Sequence, residues 1–360
     1  MNDAQRLALW LRLKAAGLVT GEPPPADTAS APWFVRVMLG VAGWIGAAFL
    51  LIFVALGLKF VVESAAAAFV VGLASCAAAS ALFRAKPDSD FATQFGLAIS
   101  LAGQGLVLLA LSKWLNNQTS AIALSMSLFQ TVLFFTIPNF VHRIWAALAG
   151  SFAIVFELTN WHLQAYAPGL LAAACAWAWL NEFQYAKNGE MLRAGGYGLV
   201  LALMGATGMV AQSTSWLWHS GINQSPNNEY HLWIGAALGS VALLWTVWHL
   251  LLREVVQPAS STGWRILAAA GILALANLKA PGFAPATLIL LLGYSNGNRI
   301  LFGLSIAALL GYLSFYYYSL EATLLHKSAL MAATGCALLA ARLILHAWWP
   351  VPPQQKDRHA

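Results

Sequence analysis

The chain has 360 residues, of which 60% are hydrophobic and only 9% charged; an average soluble domain carries roughly a quarter charged residues, so this balance excludes an ordinary water-soluble globule. The net charge of +6 does not signal nucleic-acid binding, because the basic residues stand singly between apolar runs instead of clustering. Cys76, Cys175 and Cys336 each lie alone in an apolar run, without the short spacing of a redox pair or zinc site, which leaves them as small packing residues.

Residues 1–20 read as a short amphipathic helix: Leu7, Leu11, Ala15 and Leu18 recur at helical spacing, Arg6, Arg12 and Lys14 interleave, and Gly17 is placed to end it. Such a helix suits the cytoplasmic surface of a membrane, and docking on the rest of the protein suits it equally. Residues 21–35 contain PPP and read as a semi-rigid linker. The first 35 residues are too polar for a cleavable signal peptide, so the first span is expected to direct insertion. Residues 36–349 read as a transmembrane helical domain and residues 350–360 as a cytoplasmic tail.

The apolar runs fall at roughly 37–62, 65–83, 92–111, 119–137, 144–158, 165–180, 195–211, 232–252, 265–279, 283–294, 300–318 and 325–347. At ~1.5 Å per residue, about 20 residues cross a hydrocarbon core of ~30 Å. The expected fold is therefore all-α, a polytopic transmembrane helix bundle of about 12 spans. The runs at 265–279 and 283–294 are short and are joined by Lys279, Ala280, Pro281 and Gly282, so ten spans plus a re-entrant hairpin is the alternative.

Charge fixes the orientation. With the N-terminus cytoplasmic, the inner segments hold Arg6, Arg12, Lys14, Arg36, Arg84, Lys86, Arg143, Lys187, Arg193, Arg253, Arg265, Arg299, Arg342, Lys356 and Arg358. Only Lys59, Lys113, Lys279 and Lys327 fall outside. This asymmetry predicts cytoplasmic N- and C-termini. The hairpin from Tyr294 to Leu345 agrees with it, since Phe315 to Tyr318 form an aromatic stop at the outer interface and Trp348 and Trp349 form one at the inner.

Small residues allow close helix approach within the spans, and the GxxxG of Gly235 and Gly239 is open to two uses, internal packing or a homodimer face. No aspartate falls inside a span and no glutamate falls at the middle of one, which counts against an ion-coupled carrier. Polar residues gather on the outer side instead: Glu63, Glu157, Asn160, His162, Glu229, His231, Glu321, His326 and Lys327. The sequence ELTNWH, Glu157 to His162, offers a carboxylate, an amide and an imidazole in one short loop, and a longer loop from Gln212 to His231 adds Trp216, Trp218 and His219. These residue types suit acid–base or binding chemistry, but no HExxH or paired-His spacing is present; separately solvated interface residues give the same census. Lys327, in the first turns of the last span, calls for an acidic partner or for snorkelling to headgroups. Gln104, Gln130 and Asn277 read as interhelical hydrogen-bonding groups. Gly103-Gln104-Gly105 and the glycines at 195, 196 and 198 lack any nucleotide-loop spacing, and no cofactor, catalytic residue or metal site is expected.

Three stretches carry a resemblance: Ala31-Pro32-Trp33-Phe34 entering the first span, Gly293-Tyr294-Ser295-Asn296-Gly297-Asn298-Arg299, and FYYYSLEATLLHKS from Phe315 to Ser328 with Gly335 and Arg342 beyond it. On these the chain resembles a family of bacterial inner-membrane proteins defined only by domain of unknown function 4401. The resemblance covers most of residues 31–346 and brings no activity, cofactor or catalytic residue. It implies the bacterial inner membrane and, as partners, another multi-span membrane protein and a protein with a GDYXXLXY motif. The leading expectation is a non-enzymatic subunit or scaffold of an envelope complex. A permease for a small or amphipathic solute is the alternative, and a membrane enzyme acting on a lipid-linked substrate at the outer face is the third.

Overall fold

The computed structural model describes residues 3–23, 33–57, 59–86, 89–185, 188–220, 226–280 and 282–319, with isolated positions between 325 and 343. Among the described residues every regular element is a helix, and two compact units divide the chain at Asn116.

The first unit comprises α1 (Asp3–Ala15), α2 (Trp33–Gly57), α3 (Lys59–Glu63), α4 (Ala65–Ala85) and α5 (Asp90–Trp114). Gly17 ends α1 as the spacing predicts: its φ is +70°, its N–H reaches the Lys14 carbonyl and Leu18 N–H reaches the Leu13 carbonyl. Ser64 and Ser89 start α4 and α5 by accepting from the N–H of Ala67 and Ala92. These two helices meet backbone to backbone. A Cβ on Gly72 would lie 2.7 Å from the Gly103 carbonyl oxygen, so only glycine permits that approach. The glycine of GQG is thus a packing residue, and Gln104 bonds to Ser100 one turn earlier on the same helix. The first apolar run, read as one segment over 37–62, is divided into α2 and the short α3. Lys113, at the end of α5, donates to the Val62 and Glu63 carbonyls that close α3.

The second unit comprises α6 (Thr119–Thr136), α7 (Phe140–Asn160), a single 3-10 turn η1 (Gln164–Tyr166), α8 (Ala167–Leu180), α9 (Gly189–Ser220), α10 (Pro226–Arg253), α11 (Ser261–Lys279), α12 (Phe283–Ser295) and α13 (Arg299–Ser319). Its core is built from Trp179 of α8, Val200 and Leu203 of α9, Leu243 of α10, Leu288 and Leu292 of α12 and Leu301 of α13, all buried. Helix α12 is apolar all round, as a helix enclosed by protein must be, and Ala284, Ala286, Leu288, Ile289 and Leu292 have almost no exposure. The segment read as a long loop from Gln212 to His231 is largely a continuation of α9 and α10, whose described helices leave only 221–225 between them. Their ends hold uninterrupted intrahelical hydrogen bonding well past the apolar runs.

Seven helices among the described residues are long and apolar enough to cross a membrane: α4, α5, α6, α7, residues 189–212 of α9, residues 230–253 of α10 and residues 261–278 of α11. The chain is therefore an all-helical protein with several membrane-spanning candidates. At 13 residues, α12 is shorter than α11 with 19, so the two halves of the expected re-entrant pair are unequal.

Candidate functional site

Polar side chains of the second unit gather in two places at its opposite ends, and in a third place beside the break between α11 and α12. The first gathering is built on the turn after α12. Gly297 adopts φ +62°, which turns the chain and lets Asn296 and Asn298 face different helices. Asn298 accepts from Leu301 N–H at 3.1 Å, capping α13, and its amide meets the Tyr197 hydroxyl of α9 at 2.8 Å. Asn296 donates to the Trp179 carbonyl at 2.9 Å and to Glu182 at 3.3 Å, and accepts from Arg253 at 3.1 Å. Glu182 is buried, 6% exposed, and its other oxygen accepts from Arg193 Nε at 3.0 Å. Arg253 also lies over the Phe183 ring, 5.4 Å from its centroid. One turn thereby ties α8, α9, α10, α12 and α13. A buried carboxylate is tolerated there because both oxygens have donors and one donor is cationic.

The opposite end holds the outer-side residues expected from sequence, differently arranged. Glu157 and Asn160 lie in the last turn of α7 instead of a loop; Glu157 is buried, 3% exposed, and Oε2 accepts from Asn160 Nδ2 at 3.2 Å. His162 lies beyond the helix end, exposed, at φ +59°. The ELTNWH segment therefore brings a carboxylate and an amide together and leaves the imidazole apart, because the helix runs on to Asn160 and the turn that follows carries His162 outward. His231 pairs with Tyr166 of η1, its Nδ1 being 2.6 Å from the hydroxyl. Glu63 belongs to the first unit, where its described ion pair is with Lys59 at 3.5 Å on the surface. The side chain of Glu229 and the residues Glu321, His326 and Lys327 lie outside the described residues, as does the aromatic stop at Trp348 and Trp349.

Beside the α11–α12 break, buried Asn277 uses both ends of its amide. Oδ1 accepts from Gly282 N–H at 3.3 Å and Ala284 N–H at 3.0 Å, so a side chain from α11 caps α12. Nδ2 donates to the Ala236 carbonyl at 2.9 Å and to Ser240 at 3.3 Å on α10. Asn277 is an interhelical bonding group, as expected. Gly282 has φ +116°, and a Cβ there would press on the Tyr312 ring at 3.1 Å. A cavity of about 20 Å³ beside Asn277, Thr207, Gly235, Gly239 and Pro285 has room for about one water. Gly235 and Gly239 are engaged inside the unit: Gly235 abuts the Ala165 carbonyl and Gly239 faces Asn277 and Pro285. Internal packing, one of their two expected uses, is what the described residues show. A larger cavity of about 230 Å³ lies among α6, α7 and α9, lined in part by Ser127, Gln130, Phe134, Ser151 and Ile154.

Sequence reasoning missed Glu182, Tyr197 and Tyr166, and used the asparagines of YSNGNR only as part of a resemblance. The available signal was Asn-Gly-Asn following a wholly apolar helix, a turn-plus-cap pattern. Among the described residues no group of three or more His, Cys, Asp or Glu is placed to hold a metal ion.

No curated protein and no solved structure matches the chain. The family model of the domain of unknown function DUF4401 matches residues 32–347, nearly the whole chain and every helix from α2 to α13. The chain therefore belongs to the DUF4401 family.

Proposed function

We propose that the chain is a multi-span protein of the bacterial inner membrane and a non-enzymatic subunit or scaffold of an envelope complex. Its about twelve spans would place both termini in the cytoplasm. Residues 1–20 would form a surface helix, 21–35 a linker, 36–349 the membrane domain and 350–360 a tail. Support for the orientation comes from the second unit, where Arg193 and Arg253 gather at one end and Glu157 and His231 at the other. The observation that carries the scaffold reading is the turn at Asn296 and Asn298, whose polar groups bind helices to one another. A network of that kind fixes relative helix positions, which is what a scaffold requires. The proposed partners are a second multi-span membrane protein and a GDYXXLXY-motif protein, with lipid around the remaining apolar faces. Tagged protein, cross-linked in native membranes and extracted in mild detergent, is expected to bring down a stoichiometric multi-span partner. Recovery of the chain alone would sink this reading.

A second reading, a permease for a small or amphipathic solute, has one specific observation in its favour. The α11–α12 break places an irregular backbone segment, a left-handed Gly282 and a small cavity among packed helices, an arrangement that transporters use for binding. Uptake by reconstituted vesicles, abolished by Gly282→Val, would favour it over the scaffold.

A further inference from the structure

We propose that the cavity of about 230 Å³ among α6, α7 and α9 binds a neutral, lipid-soluble molecule through a carbonyl oxygen, held by the hydroxyls of Ser127 and Ser151. The void follows from small side chains between close backbones. A Cβ on Gly150 of α7 would lie 3.2 Å from Gln130 Cβ and 3.9 Å from the Ser127 carbonyl oxygen of α6, and one on Gly195 of α9 would lie 3.2 Å from the Phe134 ring. Ala146, Ala147, Gly150, Ser151 and Gly195 leave the space between the three helices unfilled. An apolar cavity of ~150 Å³ already takes benzene, so this one has room for a substituted ring. Thr131 and Ile154 line it and are exposed, so it opens on the surface of the second unit at these residues. The opening lies within the apolar stretches of helices long enough to span a membrane, and a ligand enters from the lipid.

The two serines stand apart from other hydroxyls on the same helices. Thr131, Thr159 and Thr207 each donate to the carbonyl four residues earlier, at 2.8, 3.0 and 2.7 Å, the usual refuge of a hydroxyl in an apolar surrounding. Ser127 and Ser151 do not, and among the described residues neither hydroxyl has a hydrogen-bond partner. The carbonyls they would bond, at Ala123 and Ala147, lie on their own helices, so the unused bonds are a property of α6 and α7 and not of anything packed outside them. Ser151 is only 9% exposed, and what both serines face is the cavity. A carbonyl oxygen has two lone pairs and can take both donors. Water suits the space less well, since each molecule needs two to four polar partners and the remaining wall is largely Phe134, Ala146, Ile154 and Leu199. No charged side chain among the described residues lines it, which excludes a charged head. The proposal is independent of the scaffold reading: the chain can fail to bring down a partner and still bind the ketone.

The test is photolabelling of the full chain in lipid nanodiscs with an alkyl benzophenone, a neutral aryl ketone that cross-links to C–H bonds. Label is expected on the peptides that carry Ile154 and Leu199. Excess alkyl phenyl ketone should protect them, and the alkylbenzene of the same carbon skeleton should protect them far less. Ser127→Ala and Ser151→Ala keep the space and should each weaken ketone protection by about 2–10-fold. Thr131→Leu, at the exposed mouth, should lower the labelling without touching a buried position. If a serine variant does not fold, Thr131→Leu and the contrast between ketone and hydrocarbon on the natural chain carry the test. Equal protection by the two competitors would make the space a slot for lipid acyl chains and overturn the proposal. So would ketone protection that is unchanged in both serine variants, or label spread over the exposed apolar faces with none at the cavity.

Discussion

Asn296 and Glu182, 114 residues apart in the chain, meet side chain to side chain at 3.3 Å, and the same asparagine accepts from Arg253 at 3.1 Å. The turn after α12 is thus the point at which five helices of the second unit are referenced to one another. Asn296→Ala removes donors from the Trp179 carbonyl and from Glu182, and leaves Glu182 to Arg193 alone. We expect a loss of ~1–3 kcal/mol, read as a lower unfolding midpoint in detergent. An unchanged midpoint would reduce the turn to a surface feature.

The glycines of the second unit separate into those that touch and those that do not. A Cβ on Gly235 would fall inside the contact distance of the Ala165 carbonyl oxygen, whereas nothing lies within 4 Å of one on Gly271. Gly235→Ala should destabilise by ~1–3 kcal/mol through overpacking. Gly271→Ala should be neutral or stabilising by up to ~1 kcal/mol, because alanine favours a helix. Equal effects at the two sites in melting experiments would contradict the α10–η1 contact.

At the α11–α12 break, Asn277→Leu keeps side-chain volume but strips the acceptor from Gly282 and Ala284 N–H. The cost should be at least ~1–3 kcal/mol for the buried groups left unmatched. Hydrogen exchange localises it. The amides at 282 and 284 should exchange faster while those in the middle of α8 stay protected. Uniform change across both regions would mean global loosening instead of a lost cap.

Orientation is testable without further structure. A fluorescent reporter that matures only in the cytoplasm should light up when fused after residue 20 or after residue 356, and stay dark when inserted at the His162 turn. Fluorescence at His162 would reverse the second unit and with it the proposed topology.

Much of the fold was legible from sequence because membrane spans are written in composition. Runs of apolar residues located α4, α5, α6, α7 and α11 to within a few residues, and Gly17 marked the end of α1. The readings failed where helices extended past their apolar runs. Residues 212–220 and 226–231 are polar enough to look like loop, but an established helix continues at little cost, one hydrogen bond per added residue. The candidate site fared less well. Glu157 and Asn160 were named and do meet, while His162 was grouped with them by proximity in sequence and is separated by the direction of the turn.

What the sequence determined alone was an all-helical, membrane-compatible chain with its basic residues biased to alternate loops, since period, length and charge asymmetry are local properties. Tertiary structure decided which polar residues matter to one another. Glu182 reaches Asn296, Tyr197 reaches Asn298, Tyr166 reaches His231 and Asn277 caps α12 only because packed helices bring distant segments within about 3 Å. Hydrogen-bond partners in a bundle are chosen by helix crossing and register, and neither is carried by any single stretch of the chain.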